Sequence, residues 1–245
     1  GQGGQIGQSV AVGVNCGFEN QGDNSISIGF LCGQYEQGSN SVAMGVEAGQ
    51  TGQNSFCVAI GNKCGQGEQG QSSVAIGHSC GQFRQGAASV AVGVRCGNYE
   101  QGSECVAIGY ECAATGQSQQ SVAIGYQSGV SDQGEQSVAL GFQCGFTGQA
   151  RASTAMGWQS GYQDQSEGCV AVGYRCGTIN QGELSTAMGA DCGTSNQGTG
   201  SVAIGNNCGT TSQGQQAVAI GVGCGQQQQG QTAVAVGYQA GKFVQ

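Results

Sequence analysis

Hydrophobic and small residues alternate along this chain in a five-residue phrase that returns at a fixed spacing of sixteen. Its simplest form is Ser201-Val202-Ala203-Ile204-Gly205. The second position of the phrase falls at Val10 and recurs in fifteen copies, without insertion or deletion, as far as Val234. A period this strict predicts a repeat architecture. Sixteen residues are too few for a helical-hairpin repeat but suit one turn of a β-solenoid.

Within the phrase, side chains alternate with the period of two that is typical of a β-strand. Val and Ile point to one face, whereas Ser, Ala and Gly point to the other. The Ile position accepts only Val12, Ile28, Met44, Leu140 and similar residues, so we expect this face to form the core. The rest of each repeat must turn, run back and turn again, with glycine at the corners. The sequence therefore predicts an all-β parallel β-solenoid of about fifteen turns, forming one continuous domain over residues 1–245.

The face made of Ser, Ala and Gly is expected to be flat and exposed. Small residues let another surface approach closely, so this face is the candidate interface between subunits or, alternatively, a face that binds ice. Its representative residues are Ser9, Ala11, Ser41, Ala43, Ser73, Ala75, Ser89, Ala91, Ser121, Ala123, Ser201 and Ala203.

One glutamine recurs in every repeat. In a stack of turns these side chains would form a ladder, in which each amide bonds the next as in cross-β structures. Bonding to the backbone of the adjacent glycine corner is an equally open alternative. The residues of this structural glutamine ladder are Gln5, Gln21, Gln37, Gln53, Gln69, Gln85, Gln101, Gln117, Gln133, Gln149, Gln165, Gln181, Gln197, Gln213, Gln229 and Gln245.

Eleven of the 14 cysteines share one position of the repeat. Ala and Ser replace Cys there in other repeats, which indicates a small buried side chain and free thiols. The alternative is disulfides between neighbouring turns, Cys16–Cys32, Cys64–Cys80, Cys96–Cys112, Cys176–Cys192 and Cys208–Cys224, because such turns bring Cα atoms within about 5 Å. Cys57, Cys105 and Cys169 replace Ser and are expected to behave like it. The predicted structural cysteine ladder is Cys16, Cys32, Cys64, Cys80, Cys96, Cys112, Cys144, Cys176, Cys192, Cys208 and Cys224.

Aromatic residues occupy the position after the phrase glycine in five consecutive repeats. We expect them to form an aromatic edge whose rings stack and stiffen a corner, with a platform for a glycan or a surface as the alternative. The five residues are Tyr110, Tyr126, Phe142, Trp158 and Tyr174. The only histidine, His78, occupies the same position and has no nucleophile or carboxylate grouped with it.

Composition excludes several classes of function. The net charge is -8, and the six Lys and Arg residues form no basic stripe, so nucleic-acid binding is not expected. No apolar run approaches the ~20 residues that span a bilayer, so we expect no membrane insertion. The cysteines lack the spacing of a zinc site. No catalytic group can be assembled around one histidine, and we therefore expect no enzyme activity, no metal site and no cofactor.

A resemblance becomes visible at Ser73–Gly81 and Ser121–Gly129, where Ser-Val-Ala-Ile-Gly is followed by a small residue and a glycine. These residues resemble the YadA-like head repeats of trimeric autotransporter adhesins, and similar repeats occur in phage and giant-virus fibre-like proteins. The resemblance implies a left-handed β-roll, association into a trimer and an adhesive or spike role. The sixteen-residue repeat of this chain is longer than the usual repeat of the bacterial family.

The sequence thus favours a non-catalytic structural or adhesive fibre module that is extracellular, on a cell or virion surface. Its expected partners are copies of itself, as a trimer or by end-to-end stacking, and a surface receptor. An ice-binding solenoid is the first alternative, and a filament assembled head to tail is the second.

Overall fold

The computed structural model describes residues 7–243, so Gln5 and Gln245 of the predicted glutamine ladder lie outside the described residues. The chain divides into two compact units, Gly1–Ser121 and Val122–Gln245. Across the described part of the chain, no helix is long and apolar enough to span a membrane.

The first unit alternates five-residue and three-residue strands. They are β1 (Val10–Val14), β2 (Glu19–Gln21), β3 (Ile26–Phe30), β4 (Tyr35–Gln37), β5 (Val42–Val46), β6 (Thr51–Gln53), β7 (Val58–Asn62), β8 (Gly67–Gln69), β9 (Val74–His78), β10 (Phe83–Gln85), β11 (Val90–Val94), β12 (Tyr99–Gln101), β13 (Val106–Tyr110) and β14 (Thr115–Gln117).

The second unit continues the alternation. Its strands are β15 (Val122–Tyr126), β16 (Ser131–Gln133), β17 (Val138–Phe142), β18 (Thr147–Gln149), β19 (Thr154–Trp158), β20 (Gln163–Gln165), β21 (Val170–Tyr174), β22 (Ile179–Gln181), β23 (Thr186–Ala190), β24 (Ser195–Gln197), β25 (Val202–Asn206), β26 (Thr211–Gln213), β27 (Val218–Val222) and β28 (Val234–Tyr238).

Like strands pair in parallel and in register, one repeat apart. Val74 lies beside Val90 in the long-strand sheet, which is made of the five-residue strands. Gln85 lies beside Gln101 in the short-strand sheet, which is made of the three-residue strands. Each repeat is therefore one turn of a parallel β-solenoid, which confirms the predicted fold class. The single continuous domain over residues 1–245 and the left hand of the coil stay predictions.

The glycine that ends each phrase is required by the close approach of the next turn. Gly77 has φ of +125°, and a Cβ atom built on it would collide with the carbonyl oxygen of Gly93 in the following turn. Both the backbone conformation and the available space therefore exclude any other residue. Non-glycine residues also occupy the left-handed region, among them Ser79 and Ala88 at corners, at φ of 52° and 54°, and Arg84 within β10, at φ of 56°.

The orientation that we expected for the long strands is wrong. The phrase Ala and Ser residues are buried, as Ala43 and Ser41 show with no exposed surface, whereas Met44 and Ile60 are more than one-third exposed. The candidate interface of Ser9, Ala11, Ser41, Ala43, Ser73, Ala75, Ser89, Ala91, Ser121, Ala123, Ser201 and Ala203 is therefore interior, with Ser9 and Ala11 partly buried and the others fully so.

The width of the turn explains this reversal. The interior of each turn holds one glutamine side chain that reaches across from the short strand. In that space, a Cβ on Gly81 would lie only 2.6 Å from Oε1 of Gln85 and 3.3 Å from Cβ of Ala75. A branched side chain directed inward would overlap these atoms, so only Ala, Ser, Cys and Gly fit beside the amide.

Candidate functional site

The recurring glutamines form a buried stack in which each amide braces its own turn. Nε2 of Gln85 donates to the carbonyl of Val74, 2.9 Å away in the long strand, and to that of Ser89, 3.2 Å away in the next corner. Gln181 repeats the pattern with Val170 and Ser185. Each glutamine amide therefore ties the two strands of its turn together. One of its two hydrogen bonds is to the backbone of the adjacent corner, which is the alternative to the ladder stated above.

Two pairs of amides in this stack bond each other directly. Nε2 of Gln53 lies 3.2 Å from Oε1 of Gln69, and Nε2 of Gln101 lies 3.1 Å from Oε1 of Gln117. More often the oxygen has no partner. The buried oxygens without one belong to Gln53, Gln85, Gln101, Gln149, Gln165, Gln181, Gln197, Gln213 and Gln229.

One turn satisfies the amide oxygen with a hydroxyl. Ser27 replaces the usual inward Ala, and its Oγ donates to Oε1 of Gln37 over 2.7 Å. Both side chains are buried. A buried acceptor without a donor costs about 1–3 kcal/mol, so this serine removes a cost that other turns bear.

All fourteen cysteines are buried free thiols, so none of the five alternative disulfides is formed in this structure. In several turns the thiol of the recurring cysteine donates to a glycine carbonyl of the following turn, as Cys96 does to Gly109 over 3.0 Å. Ser160 occupies the same position and donates to Gly173 over 2.8 Å. The position therefore selects a small buried side chain, and where that side chain is Cys or Ser it can also donate a hydrogen bond that joins two turns.

The remaining cysteines act as the serines that they replace. Cys57 donates to the carbonyl of Gly70 over 2.9 Å, and Ser41, one turn earlier, donates to that of Asn54 over 2.8 Å.

Among the recurring cysteines, burial raises the pKa of the Cys144 and Cys208 thiols to about 11. These thiols are therefore neutral hydrogen-bond donors at physiological pH, and their chemistry is structural.

The outward side of the long-strand sheet is the largest candidate interaction surface. We call it the aliphatic face and define it by the first, third and fifth residues of each long strand, for example Val58, Ile60 and Asn62 in β7. No Asp, Glu, Lys or Arg occupies these positions in either unit. At strand spacings of about 4.8 Å, the face covers on the order of 500 Å² in each unit, as large as the largest apolar patch on a typical soluble monomer.

Three aromatic residues of the predicted aromatic edge stack along one margin of the aliphatic face in the second unit. The ring centroids of Tyr126 and Phe142 are 5.1 Å apart, and those of Phe142 and Trp158 are 4.0 Å apart, with nearly parallel planes. Tyr174 follows Trp158 in strand register, and Tyr110 belongs to the first unit. Stacked rings turn their edges to solvent, so the row offers little open ring face to a ligand.

A second row of glutamines was not predicted from the sequence, although its spacing is equally regular. Nε2 of Gln82 donates to Oε1 of Gln66 over 2.7 Å, Gln66 donates to Gln50 over 3.1 Å, and Gln50 donates to Gln34 over 3.1 Å. This half-buried row bonds amide to amide, as a glutamine ladder should. Four glutamines one repeat apart were the signal that could have revealed it.

Comparison with known families gives one finding. The model of the YadA head domain repeat matches two copies over residues 114–143. No curated protein and no solved structure gives a match. The resemblance to YadA-like head repeats is thus shown, and the matched repeat and the solenoid fold together support an adhesin-like structural module.

Proposed function

We propose that this chain is a non-catalytic structural or adhesive fibre module of an extracellular surface, on a cell or a virion. The module associates with copies of itself, as a trimer, through the aliphatic face. The observation that carries the proposal is the exposure of that face, where charged residues are absent while β-branched and aromatic residues line up in register. The trimer is the assembly in which YadA-like head repeats occur.

The energetics favour a covered face. Several of its Val, Ile and Met side chains are more than one-third exposed, as Ile220 is at 36% and Val236 at 60%, and others, such as Val58 and Ile76, are partly exposed. Removing such surface from water contributes about 25 cal/mol per Å², and apolar, uncharged composition is typical of the buried core of stable homo-oligomer interfaces. The ice-binding alternative required an exposed face of Ser and Ala residues, and these residues are buried, so the structure offers that hypothesis no support.

Light scattering on the full chain over a range of concentrations tests the proposal. We expect a discrete trimer, and we expect Ile220→Asp to weaken association at least tenfold, because a charge would be buried in each copy. Ile179→Asp is the matched control, since Ile179 has similar exposure, 39% against 36%, but lies on the short-strand sheet of the same unit. A monomer at every concentration would overturn the proposal. A mass that grows continuously with concentration would instead indicate end-to-end stacking.

A further inference from the structure

An interrupted aromatic row on the short-strand sheet of the first unit leaves one ring face open. The first residues of successive short strands are Tyr35, Thr51, Gly67, Phe83 and Tyr99. The rings of Phe83 and Tyr99 stack with centroids 5.3 Å apart. Gly67 precedes Phe83 in register and has no side chain to cover the other side of the ring. A Cβ on Gly67 would lie 3.3 Å from Cδ1 of Phe83.

The missing side chain opens a cleft of about 450 Å³. Phe83 and Tyr99 form one wall, and Thr51 lines the cleft on the far side of Gly67. A Cβ on Gly67 would lie 3.3 Å from Cδ1 of Phe83 and 3.7 Å from Oγ1 of Thr51, so these two atoms are at most 7.0 Å apart. The Thr51 side chain is shorter than that of Phe83, so the outer part of the Phe83 ring is the part that an entering ring can contact.

Charged groups form one rim of the cleft. Nη1 of Arg84 lies 2.7 Å from Oε1 of Glu100, and Nε of Arg84 lies 3.9 Å from Oε2 of Glu68. All three side chains are about two-thirds exposed or more, so these ion pairs contribute little to stability. Their donors and acceptors are instead available to a molecule that enters the cleft.

We propose that this cleft binds a neutral pyranose ring of a glycan. One face of a pyranose carries C–H groups that pack on an aromatic ring, and its equatorial hydroxyls project outward in the ring plane, where a guanidinium and carboxylates can bond them. An aromatic side chain would fill the same gap but would offer no hydroxyl groups to the charged rim. The rim carries two carboxylates and one guanidinium, so an acidic sugar is disfavoured by its charge.

This inference rests on the proposed adhesive function and names what the module would adhere to. The two can still fail separately, because Phe83 and the aliphatic face lie on different sheets. Loss of glycan binding would leave the trimer intact, and loss of the trimer by Ile220→Asp would leave the cleft of the first unit unchanged.

Saturation-transfer difference NMR on the full chain with the methyl glycosides of glucose, galactose and N-acetylglucosamine tests the inference. We expect saturation on the ring protons of at least one glycoside with a Kd of about 1 mM, the weak end of the affinity scale. Methyl glucuronide, which carries a carboxylate, should bind at least threefold more weakly than the corresponding neutral sugar.

Two variants and one control decide the location. Phe83→Ala removes the platform and should weaken binding at least tenfold. Gly67→Tyr fills the gap with a ring while extending the row, since Gly67 lies outside the left-handed region, so it should abolish binding and keep the melting temperature. Tyr35→Ala removes an exposed ring from the same strand position outside the cleft and should bind as the wild type does. No transfer to any neutral glycoside, equal transfer in Gly67→Tyr, or stronger binding of N-acetyltyrosine amide would each overturn the inference.

Discussion

Placing a hydroxyl beside an orphaned glutamine oxygen should stabilise the solenoid. In the turn that contains Ala171, Oε1 of Gln181 is buried and has no partner. Ala171 stands ten residues before Gln181, as Ser27 stands before Gln37, where the hydroxyl donates over 2.7 Å. We therefore predict that Ala171→Ser creates the same bond and that Ser27→Ala removes it.

The magnitude follows from the energetics of a buried hydrogen bond. A neutral bond contributes about 1 kcal/mol net, within a range of about 0.5–1.5 kcal/mol. Room for the hydroxyl exists because Gly177 has no Cβ; such an atom would lie 3.2 Å from Cβ of Ala171 and 2.6 Å from Oε1 of Gln181. In a chain of this length, about 1 kcal/mol corresponds to about 2–4 °C in melting temperature. We expect Ala171→Ser to gain that amount and Ser27→Ala to lose it.

Urea unfolding followed by far-UV circular dichroism measures both variants. Because repeat proteins can unfold in parts, the midpoint and slope should be compared for each variant with those of the wild type. Ala171→Val, which adds volume without a donor, is the control and should be destabilising. If Ala171→Ser were as destabilising as Ala171→Val, or if Ser27→Ala were neutral, the orphaned oxygens would carry no cost and the reasoning would be refuted.

Two further predictions concern the contacts between turns. Gly77→Ala should destabilise the fold by at least about 3 kcal/mol in urea titrations, because its Cβ would meet the carbonyl of Gly93 and its φ is strained. Gly67→Ala is the control, since Gly67 has neither a strained φ nor a backbone carbonyl in the way of its Cβ. Its stability should stay within about 1 kcal/mol of that of the wild type. Because the folded-state pKa of Cys144 is raised from 9.0 to about 11, its stabilisation is complete below pH 9 and is lost as pH rises through 11. Cys144→Ser places there the residue found at Ser128 and removes this titration. Between pH 8 and pH 11, the free energy of unfolding of the wild type should therefore fall by on the order of 2 kcal/mol more than that of the variant. Parallel pH profiles for the two proteins would contradict this.

The period of the sequence determines more of the fold than the character of its residues does. A sixteen-residue repeat without insertions dictates a parallel register, and the pairing of Gln85 with Gln101 follows. The alternation of Val with Ala shows that a strand has two different faces, but it does not show which face is inside. That choice depends on the width of the turn, which the buried glutamine sets. Hydrophobicity alone therefore assigned Ile60 to the core and Ala59 to the surface, the reverse of their positions.

The candidate sites were predictable only where they repeat. The aromatic edge is visible because its five members stand one repeat apart. The cleft beside Phe83 depends on the opposite feature, the absence of a side chain at Gly67, combined with the charges of Arg84 and Glu100. A single glycine among 50 carries no such signal in the sequence, and only the stacking of particular turns brings these residues together.

The thiol bond between turns has an evolutionary consequence. In several turns a small donor, Cys or Ser, bonds the glycine carbonyl of the following turn, as Cys144 bonds Gly157 and Ser160 bonds Gly173. Excision of residues 154–169, one whole repeat, would join Ser153 to Val170. Each residue near the junction would then lie beside a residue of the same repeat position as before. Unequal recombination within the gene can therefore add or delete whole repeats without requiring any compensating mutation. The length of the protein can then change under selection while a binding cleft formed by a few turns stays the same.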